Sequence, residues 1–193
     1  LMKTPLILSL LLTACATNEA KIEAAQPEQI EASRAVAKTL VTQLGGKLKA
    51  EISANGPASA VGVCKVIAPQ IAADLSRQTG WEVGRVGTRT RNAETGTTDA
   101  WESKALASFA KRMKQGEQPD TMELAEVVTD ASGKHLRYAK AIAVQSVCLT
   151  CHGSAESIPE GVKARLQVEY PMDKATGYSV GELRGAVVVK RPL

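Results

Sequence analysis

Apolar residues recur at helical spacing through the first half of the chain. Between residues 28 and 53 they return every fourth position, as one face of a helix requires, at Leu40, Leu44, Leu48 and Ile52. The turn-forming run Asn55-Gly56-Pro57 ends this helix. A second helix is predicted over residues 58–78, and its apolar face carries Ala60, Cys64, Ile67, Ile71 and Leu75. Pro69 lies inside this second helix and predicts a kink or a restart.

The second half of the chain is typical of a sheet with one further helix. Asp99 and Glu102 form a capping pattern at the start of a helix whose apolar face carries Trp101, Ala105, Phe109 and Met113. Short segments predict five strands, over residues 81–86, 124–128, 135–142, 166–170 and 182–190. A hairpin turn at 130–133 joins two of them. Helices followed by an antiparallel sheet predict an α+β domain.

The amino-terminal segment predicts export. Residues 1–14 carry one charge, at Lys3, and then an almost wholly apolar stretch, which is typical of a secretory signal and too short to span a bilayer. The segment ends in Leu12-Thr13-Ala14 before Cys15, the pattern of a bacterial lipobox, in which the cysteine carries lipid. An ordinary signal peptide with an incidental cysteine is the alternative. We expect residues 15–27 to be a flexible tether and residues 28–193 to be one domain on the periplasmic side of a bacterial membrane.

Charge and composition narrow the functional classes. The net charge of +4 is spread along the chain without a basic run, so nucleic acid is not an expected partner. Aromatic residues make up only 3 % of the chain, so a large flat cofactor has to pack mainly against aliphatic side chains. No acid–base or nucleophile constellation marks the chain as an enzyme.

The run CLTCHG, residues 148–153, carries the clearest chemistry in the chain. On a helix Cys148, Cys151 and His152 project from roughly one face. In c-type haem attachment the two thiols add to the vinyl groups of the porphyrin and the adjacent histidine binds the iron, so this chemistry uses all three residues. Covalent haem attachment also agrees with export. The motif therefore predicts one covalently bound haem c.

Two other chemistries compete for the same motif. A structural zinc site needs a fourth ligand, from a second CxxC or a pair of histidines, and the sequence has none. A thiol–disulfide redox centre needs only the CxxC, usually in a βαβ setting, and leaves His152 unexplained. The predicted order of elements does not supply that setting.

Cys64 is left without a disulfide partner once the other three cysteines have roles. It is either a small buried hydrophobe on its helical face or the iron ligand opposite His152, and spacing alone leaves both open. The rival ligands are His135, Met113, Met122 and Met172. His135 lies beside the hairpin turn and is expected to be an exposed strand residue.

Four segments carry a resemblance to a known family. They are AVGVCKVIAPQIA at 60–72, RVGTRTRNAETGTTDAWE at 85–102, CLTCHG at 148–153 and YPMDKATGYSVGELRGAVVVK at 170–190. Together they resemble a bacterial family of single-haem c-type proteins with a PAS-like fold, which occur alone or as the sensor part of signalling proteins. The resemblance spans roughly residues 30–190.

The resemblance implies a central antiparallel sheet with haem bound against it, and axial ligation by His152 and Cys64. Arg85, Arg89 and Arg91 lie in a loop-rich stretch, where they either contact haem propionates or the thiolate, or are solvated.

Three functions then compete. The first is sensing of redox state or of a diatomic gas such as carbon monoxide or nitric oxide, with the output passed to a signalling protein. The second is transfer of single electrons to a redox partner as a lipid-anchored periplasmic cytochrome. The third is thiol–disulfide exchange through the CxxC.

Overall fold

The computed structural model describes residues 20–193. Cys15, the predicted signal segment and the start of the predicted tether lie outside the described residues. Strand β1, Lys21–Ala24, occupies part of the stretch predicted to be a flexible tether, so that prediction is wrong there. An edge strand pairs through its backbone alone and needs no apolar side chains, which is why the pattern did not indicate it.

Helices pack on both faces of the sheet. Their bounds are α1 Pro27–Asn55, α2 Ala60–Gly62, α3 Ala68–Thr79, α4 Ala100–Lys114, α5 Leu149–His152 and α6 Glu160–Glu169. A capping interaction starts α1, in which the Gln26 backbone N–H donates to the Gln29 side chain over 2.9 Å. Gly56 ends α1 with a φ of +82°.

A π-helical turn, Val63–Ile67, joins α2 to α3. The Ala68 N–H donates to the carbonyl of Val63, five residues back. Pro69 follows at once and has no N–H, so the α-helical bond that would end on the Lys65 carbonyl does not form. The predicted restart at Pro69 is therefore confirmed, as a widened turn inside a helical run.

The sheet is antiparallel throughout and has the strand order β1-β3-β4-β5-β2. The remaining strands are β2 Glu82–Gly87, β3 Glu123–Asp130, β4 Gly133–Ala143 and β5 Leu183–Pro192. Four of the five predicted strands are confirmed, as are the hairpin between β3 and β4 and the α+β class. The prediction for residues 166–170 is wrong, because residues 166–169 are the end of α6 and Tyr170 is its carboxyl-terminal cap. Leu166, Val168 and Tyr170 alternate as a strand would, but Val168 is 75 % exposed, and the buried pair Val162 and Leu166 has helical spacing.

Two apolar layers cover the sheet. On one face Ala139, Ala186 and Val188 pack against Phe109 of α4 and its neighbours. On the other face Tyr138, Val187 and Val189 pack against α1 and α3, through Leu40, Ile71 and Leu75. Two smaller apolar clusters lie around α6 and around Tyr178, and a cysteine of the CLTCHG motif packs against each of them.

No helix among residues 20–193 is both long enough and apolar enough to cross a bilayer.

Candidate haem site

The CLTCHG motif lies on two short helical turns. Cys148 ends a 3₁₀ turn, Ser146–Cys148, and α5 follows directly with Cys151 and His152 in its last turn. The two cysteines face different apolar clusters: Cys148 packs beside Tyr178, and Cys151 packs beside Tyr170. All three side chains are partly buried. The side chains of the motif are therefore partly withdrawn from solvent rather than exposed on the outer surface of a helix.

His152 is held in one tautomer. Its Nδ1 lies 2.6 Å from the carbonyl oxygen of Ala175, which only accepts, so Nδ1 carries the proton and Nε2 has a free lone pair. The ring meets Tyr178 edge to face, with centroids 6.1 Å apart. Burial, followed by the charges of Arg91 and Arg184, lowers the pKa of His152 to about 3. The imidazole is therefore neutral at pH 7, as a metal ligand has to be.

The loop after α6 clamps the motif through the backbone. The N–H of Tyr178 donates to the His152 carbonyl over 2.9 Å, and the N–H of Gly177 donates to the Gly153 carbonyl over 2.6 Å. Gly153 itself has no room for a side chain, because a Cβ there would lie 2.6 Å from the Leu149 carbonyl oxygen. Gly153 thus allows α5 to end at this point while the loop after α6 packs closely against it.

Arg91 joins this clamp from the opposite side. Its side chain is only 7 % exposed and pairs with Asp173, itself 11 % exposed, at 2.9 Å. The same guanidinium donates to the Cys151 carbonyl over 2.5 Å and to the Ala175 carbonyl over 3.2 Å. Arg91 therefore holds the backbone of the motif at Cys151 and also the backbone of Ala175, whose carbonyl accepts from His152. Its expected contact with a propionate stays a prediction.

Arg89 lies further out. Its guanidinium stacks 3.6 Å from the Tyr178 ring centroid and donates to the Thr176 carbonyl over 2.6 Å. The side chain is 40 % exposed and reaches Glu182 at 3.5 Å. These contacts hold the loop on which Tyr178 lies, and a propionate contact for Arg89 also stays a prediction.

Cys64 lies in the π-helical turn, and the fold brings it close to the motif. Burial raises the pKa of the Cys151 thiol to about 11, with Arg91 opposing and the Cys64 thiol adding to the rise. Burial, followed by Cys64, raises the pKa of Tyr170 to about 12. Cys64 is therefore an electrostatic neighbour of both Cys151 and Tyr170. π-Helical turns of this kind occur frequently at functional sites.

An ion pair ties the Cys64 turn to α6. Lys65 Nζ lies 2.6 Å from the Glu169 carboxylate and 3.3 Å from the Glu169 carbonyl oxygen. The same ammonium lies 5.9 Å from the Tyr170 ring centroid. Lys65 thus joins the π-helical turn to α6, and the apolar cluster around α6 also packs against Cys151.

The rival ligands have other environments. Met122 is fully buried on the α4 face of the sheet and Met113 packs against the same cluster, whereas Met172 is 72 % exposed. His135 was expected to be exposed, and this is wrong: it is 3 % exposed, with Nε2 3.5 Å from the Asp130 carboxylate at the β3–β4 hairpin. The expectation failed because β4 lies between β3 and β5 at this position, where His135 pairs with Val128 and Pro192.

Three residues of the site were missed by the sequence analysis: Asp173, Tyr178 and Arg184. Arg184 comes shortly before the apolar run 186–189 of β5, and that charge was the one available signal for it. Asp173 and Tyr178 lie in a loop that packs against α5, and no pattern in the loop's own sequence predicts that contact. Among residues 20–193 no group of three or more His, Cys, Asp and Glu side chains is arranged to hold a metal ion.

Comparisons with known proteins place the chain in a family. No curated protein matches it. The crystal structure of the cyanobacterial heme-protein Tll0287 is similar to it, with a TM-score of 0.65 and 26 % sequence identity, and the match covers 87 % of this chain and 97 % of that one. The profile of the Tll0287-like family matches residues 13–192. Since that match spans nearly the whole sequence, the chain belongs to the Tll0287-like family.

Proposed function

We propose that this protein binds one haem c, attached covalently through Cys148 and Cys151, with His152 and Cys64 as the axial iron ligands. The observation that carries the proposal is the state of His152, which is buried, neutral and held at Nδ1 by Ala175, so that Nε2 is left to bind iron. Family membership and similarity to a cyanobacterial haem protein support haem as the cofactor.

The thiols fit attachment better than thiol–disulfide exchange. A redox dithiol needs a thiol with a lowered pKa, because the thiolate is the attacking form. Burial raises the pKa of Cys151 to about 11 instead, and the Cys64 and Cys148 thiols add to the rise. The raised pKa therefore favours haem attachment over the CxxC redox function.

Within the haem function we propose sensing of redox state or of a diatomic gas such as carbon monoxide or nitric oxide. When bound, haem supplies an iron that changes oxidation state and can take a small ligand. Cys64 lies in a π-helical turn, a feature frequent at functional sites, which a partly exposed ion pair between Lys65 and Glu169 joins to α6, whereas the buried His152 is held by Ala175 and the loop clamp. This asymmetry favours Cys64 as the ligand that moves, with the change passed to a signalling protein.

The alternative is a single-electron carrier that delivers electrons to a redox partner. A carrier keeps both ligands in both oxidation states, and the buried, ion-paired surroundings of His152 suit that role as well. The predicted lipid on Cys15, the location on the periplasmic side of the membrane and the PAS-like classification remain part of the proposal, and they apply to both functions.

The test uses the full chain coexpressed with haem-attachment machinery. We expect covalently bound haem by mass, a Soret band, and a low-spin ferric thiolate signal in electron paramagnetic resonance that Cys64→Ala removes. The Cys148→Ser/Cys151→Ser variant is the matched control and should carry no covalent haem. Wild type without covalent haem would refute the proposal.

The same preparation separates sensor from carrier. A sensor should bind carbon monoxide in the ferrous state of the wild type, as we also expect the Cys64→Ala variant to do. A ferrous spectrum that carbon monoxide leaves unaltered in the wild type would decide for the electron carrier.

A further inference from the structure

A polar cavity of about 240 Å³ lies on the α4 face of the sheet, between the first turn of α4, the loop that carries Thr95 and Thr97, and strands β2 and β5. Gly84 and Val188 lie directly opposite each other on those strands and line it. Val188 packs in the α4 layer, whereas α3, which follows the Cys64 turn, covers the other face. The sheet therefore separates the cavity from α3. Since a water takes up about 30 Å³ in the liquid, the cavity has room for a small organic molecule.

Arg137 brings a buried and incompletely paired guanidinium to this cavity. The side chain is 9 % exposed, and its Nη2 lies 2.7 Å from the Asp99 carboxylate and 3.3 Å from the Glu102 carboxylate. Its Nε is buried and has no hydrogen-bond partner within residues 20–193. Buried donors in native proteins are nearly always satisfied, by the protein, by water or by a bound molecule. The Nε therefore indicates an acceptor that the described chain does not supply.

The neighbouring charges on β5 and β2 are also loosely paired. Lys190 lies directly opposite both Arg137 and Glu82 in the sheet, so the three side chains project to one face. Lys190 Nζ is 3.8 Å from the Glu82 carboxylate, too far for a hydrogen bond, and 3.5 Å from the Ser132 hydroxyl. This charged row, Arg137, Lys190 and Glu82, therefore keeps hydrogen-bonding capacity of both signs.

The other two carboxylates at the cavity already have partners. Asp99 accepts from the Glu102 N–H over 2.8 Å, and Glu102 accepts from the Asp99 N–H over 2.9 Å, as the capping box of α4. Both also pair with Arg137. Arg85 borders the cavity as well, but it is opposite Val187, whose side chain packs on the other face of the sheet. The charged row is thus where the cavity can take a ligand.

We propose that this cavity binds a free α-amino acid, whose carboxylate accepts from Arg137 Nε and Lys190 Nζ and whose ammonium group donates to Glu82. An α-amino acid carries both charges on groups attached to one carbon atom, and so matches the charged row. A simple anion would lie beside the carboxylates of Asp99, Glu102 and Glu82 without compensation. A simple cation would leave the Arg137 Nε unpaired. The proposal does not depend on haem binding.

Titration calorimetry of the purified full chain at pH 7 against each of the twenty common L-α-amino acids tests the proposal. We expect at least one of them to bind with a dissociation constant below about 1 mM. The carboxylic acid that lacks its amino group, and the amine that lacks its carboxylate, should each bind about tenfold more weakly or worse, because each has lost one of the two charges.

Three variants test the placement of the ligand. Lys190→Gln and Glu82→Gln should each weaken binding about tenfold or more, and Gly84→Val should abolish it by filling the cavity. The nearest atom to a Cβ at Gly84 is Val188 Cγ2, at the ordinary contact distance of 3.6 Å, so the strand has space for this side chain. Arg191→Gln is the control and should bind as the wild type does, since Arg191 follows Lys190 on β5 but stacks over an indole of the other apolar layer.

Each outcome counts for or against the proposal. If no amino acid binds, water alone fills the cavity and the proposal is wrong. Equal binding of the acid without its amino group would also overturn it, as would unchanged binding in a folded Gly84→Val. Should Gly84→Val fail to fold, the 80 % exposed Glu82 decides, and unweakened binding in Glu82→Gln counts against the proposal equally. A wild type without haem would refute the haem proposal and leave this result standing.

Discussion

Arg91 is a residue on which several parts of the site depend at once. It is buried, paired with Asp173 and bound to the carbonyls of Cys151 and Ala175. Arg91→Ala leaves the Asp173 carboxylate buried without its partner, so we expect a loss of about 3–5 kcal/mol in the free energy of unfolding. Urea denaturation of the haem-loaded protein at pH 7, followed by circular dichroism, measures this loss.

An exposed ion pair provides the control for this measurement. Arg77 pairs with Asp74 on α3, where the two side chains are 72 % and 54 % exposed, so Arg77→Ala should change stability little. Replacing both buried partners, as in Arg91→Met/Asp173→Leu, should recover part of the loss, because no unpaired charge remains. Equal losses from Arg91→Ala and Arg77→Ala would show that burial of the Arg91 pair contributes nothing.

The sequence predicted those site residues that lie close together along the chain. Cys148, Cys151 and His152 lie within five positions, and one attachment chemistry explains their spacing. Arg184 and Tyr178 become site residues only because distant segments fold against α5. The hydrophobic periodicity of the sequence does not predict such a contact, because the contact depends on the path of a loop in the folded chain.

At the scale of elements, the π-helical turn is the feature that positions Cys64. A π turn holds one residue more than an α turn, so its loss rotates the preceding residues by about 100° relative to α3. Pro69→Ala restores the missing N–H, and we expect the turn to rewind as α-helix. Electron paramagnetic resonance of the ferric haem-loaded variant should then show a weakened or absent thiolate signal while covalent haem is retained.

Pro57→Ala is the matched control, because Pro57 precedes α2 and lies outside the π turn. It should leave the thiolate signal intact. An unaltered signal in Pro69→Ala would show that packing of Val61 and Val63, both buried, holds the turn without the proline.

Elements with strong periodicity were predictable, and weakly patterned ones were not. The four-residue repeat of α1 and the restart at Pro69 were both read from sequence. Residues 166–170 were misassigned because their alternation fits a strand, while the helix is stabilised by Val162, which precedes the segment that was considered. β1 gave no apolar pattern, because backbone pairing with β3 alone defines it.

At the scale of the whole molecule, the proposed site joins segments far apart in sequence. Cys64 and His152 are 88 residues apart along the chain. The α+β class followed from the order of elements, but the approach of Cys64 to Cys151, which precedes His152 in the motif, followed from no local pattern. α3, which follows the Cys64 turn, packs on the same sheet face as α1.

Ligation of one haem by both residues would act as a cross-link between these segments. A cross-link that closes a loop of this length stabilises a fold by about 4.5 kcal/mol, mainly by restricting the unfolded chain. We therefore expect Cys64→Ala to cost about 4.5 kcal/mol more in ferric haem-loaded protein than in a haem-free Cys148→Ser/Cys151→Ser background. Guanidinium denaturation of the four proteins gives both differences. The haem-free pair measures the loss of packing at Cys64 alone. Equal losses of unfolding free energy in the two backgrounds would mean that Cys64 does not bind the iron, even in a protein that contains haem.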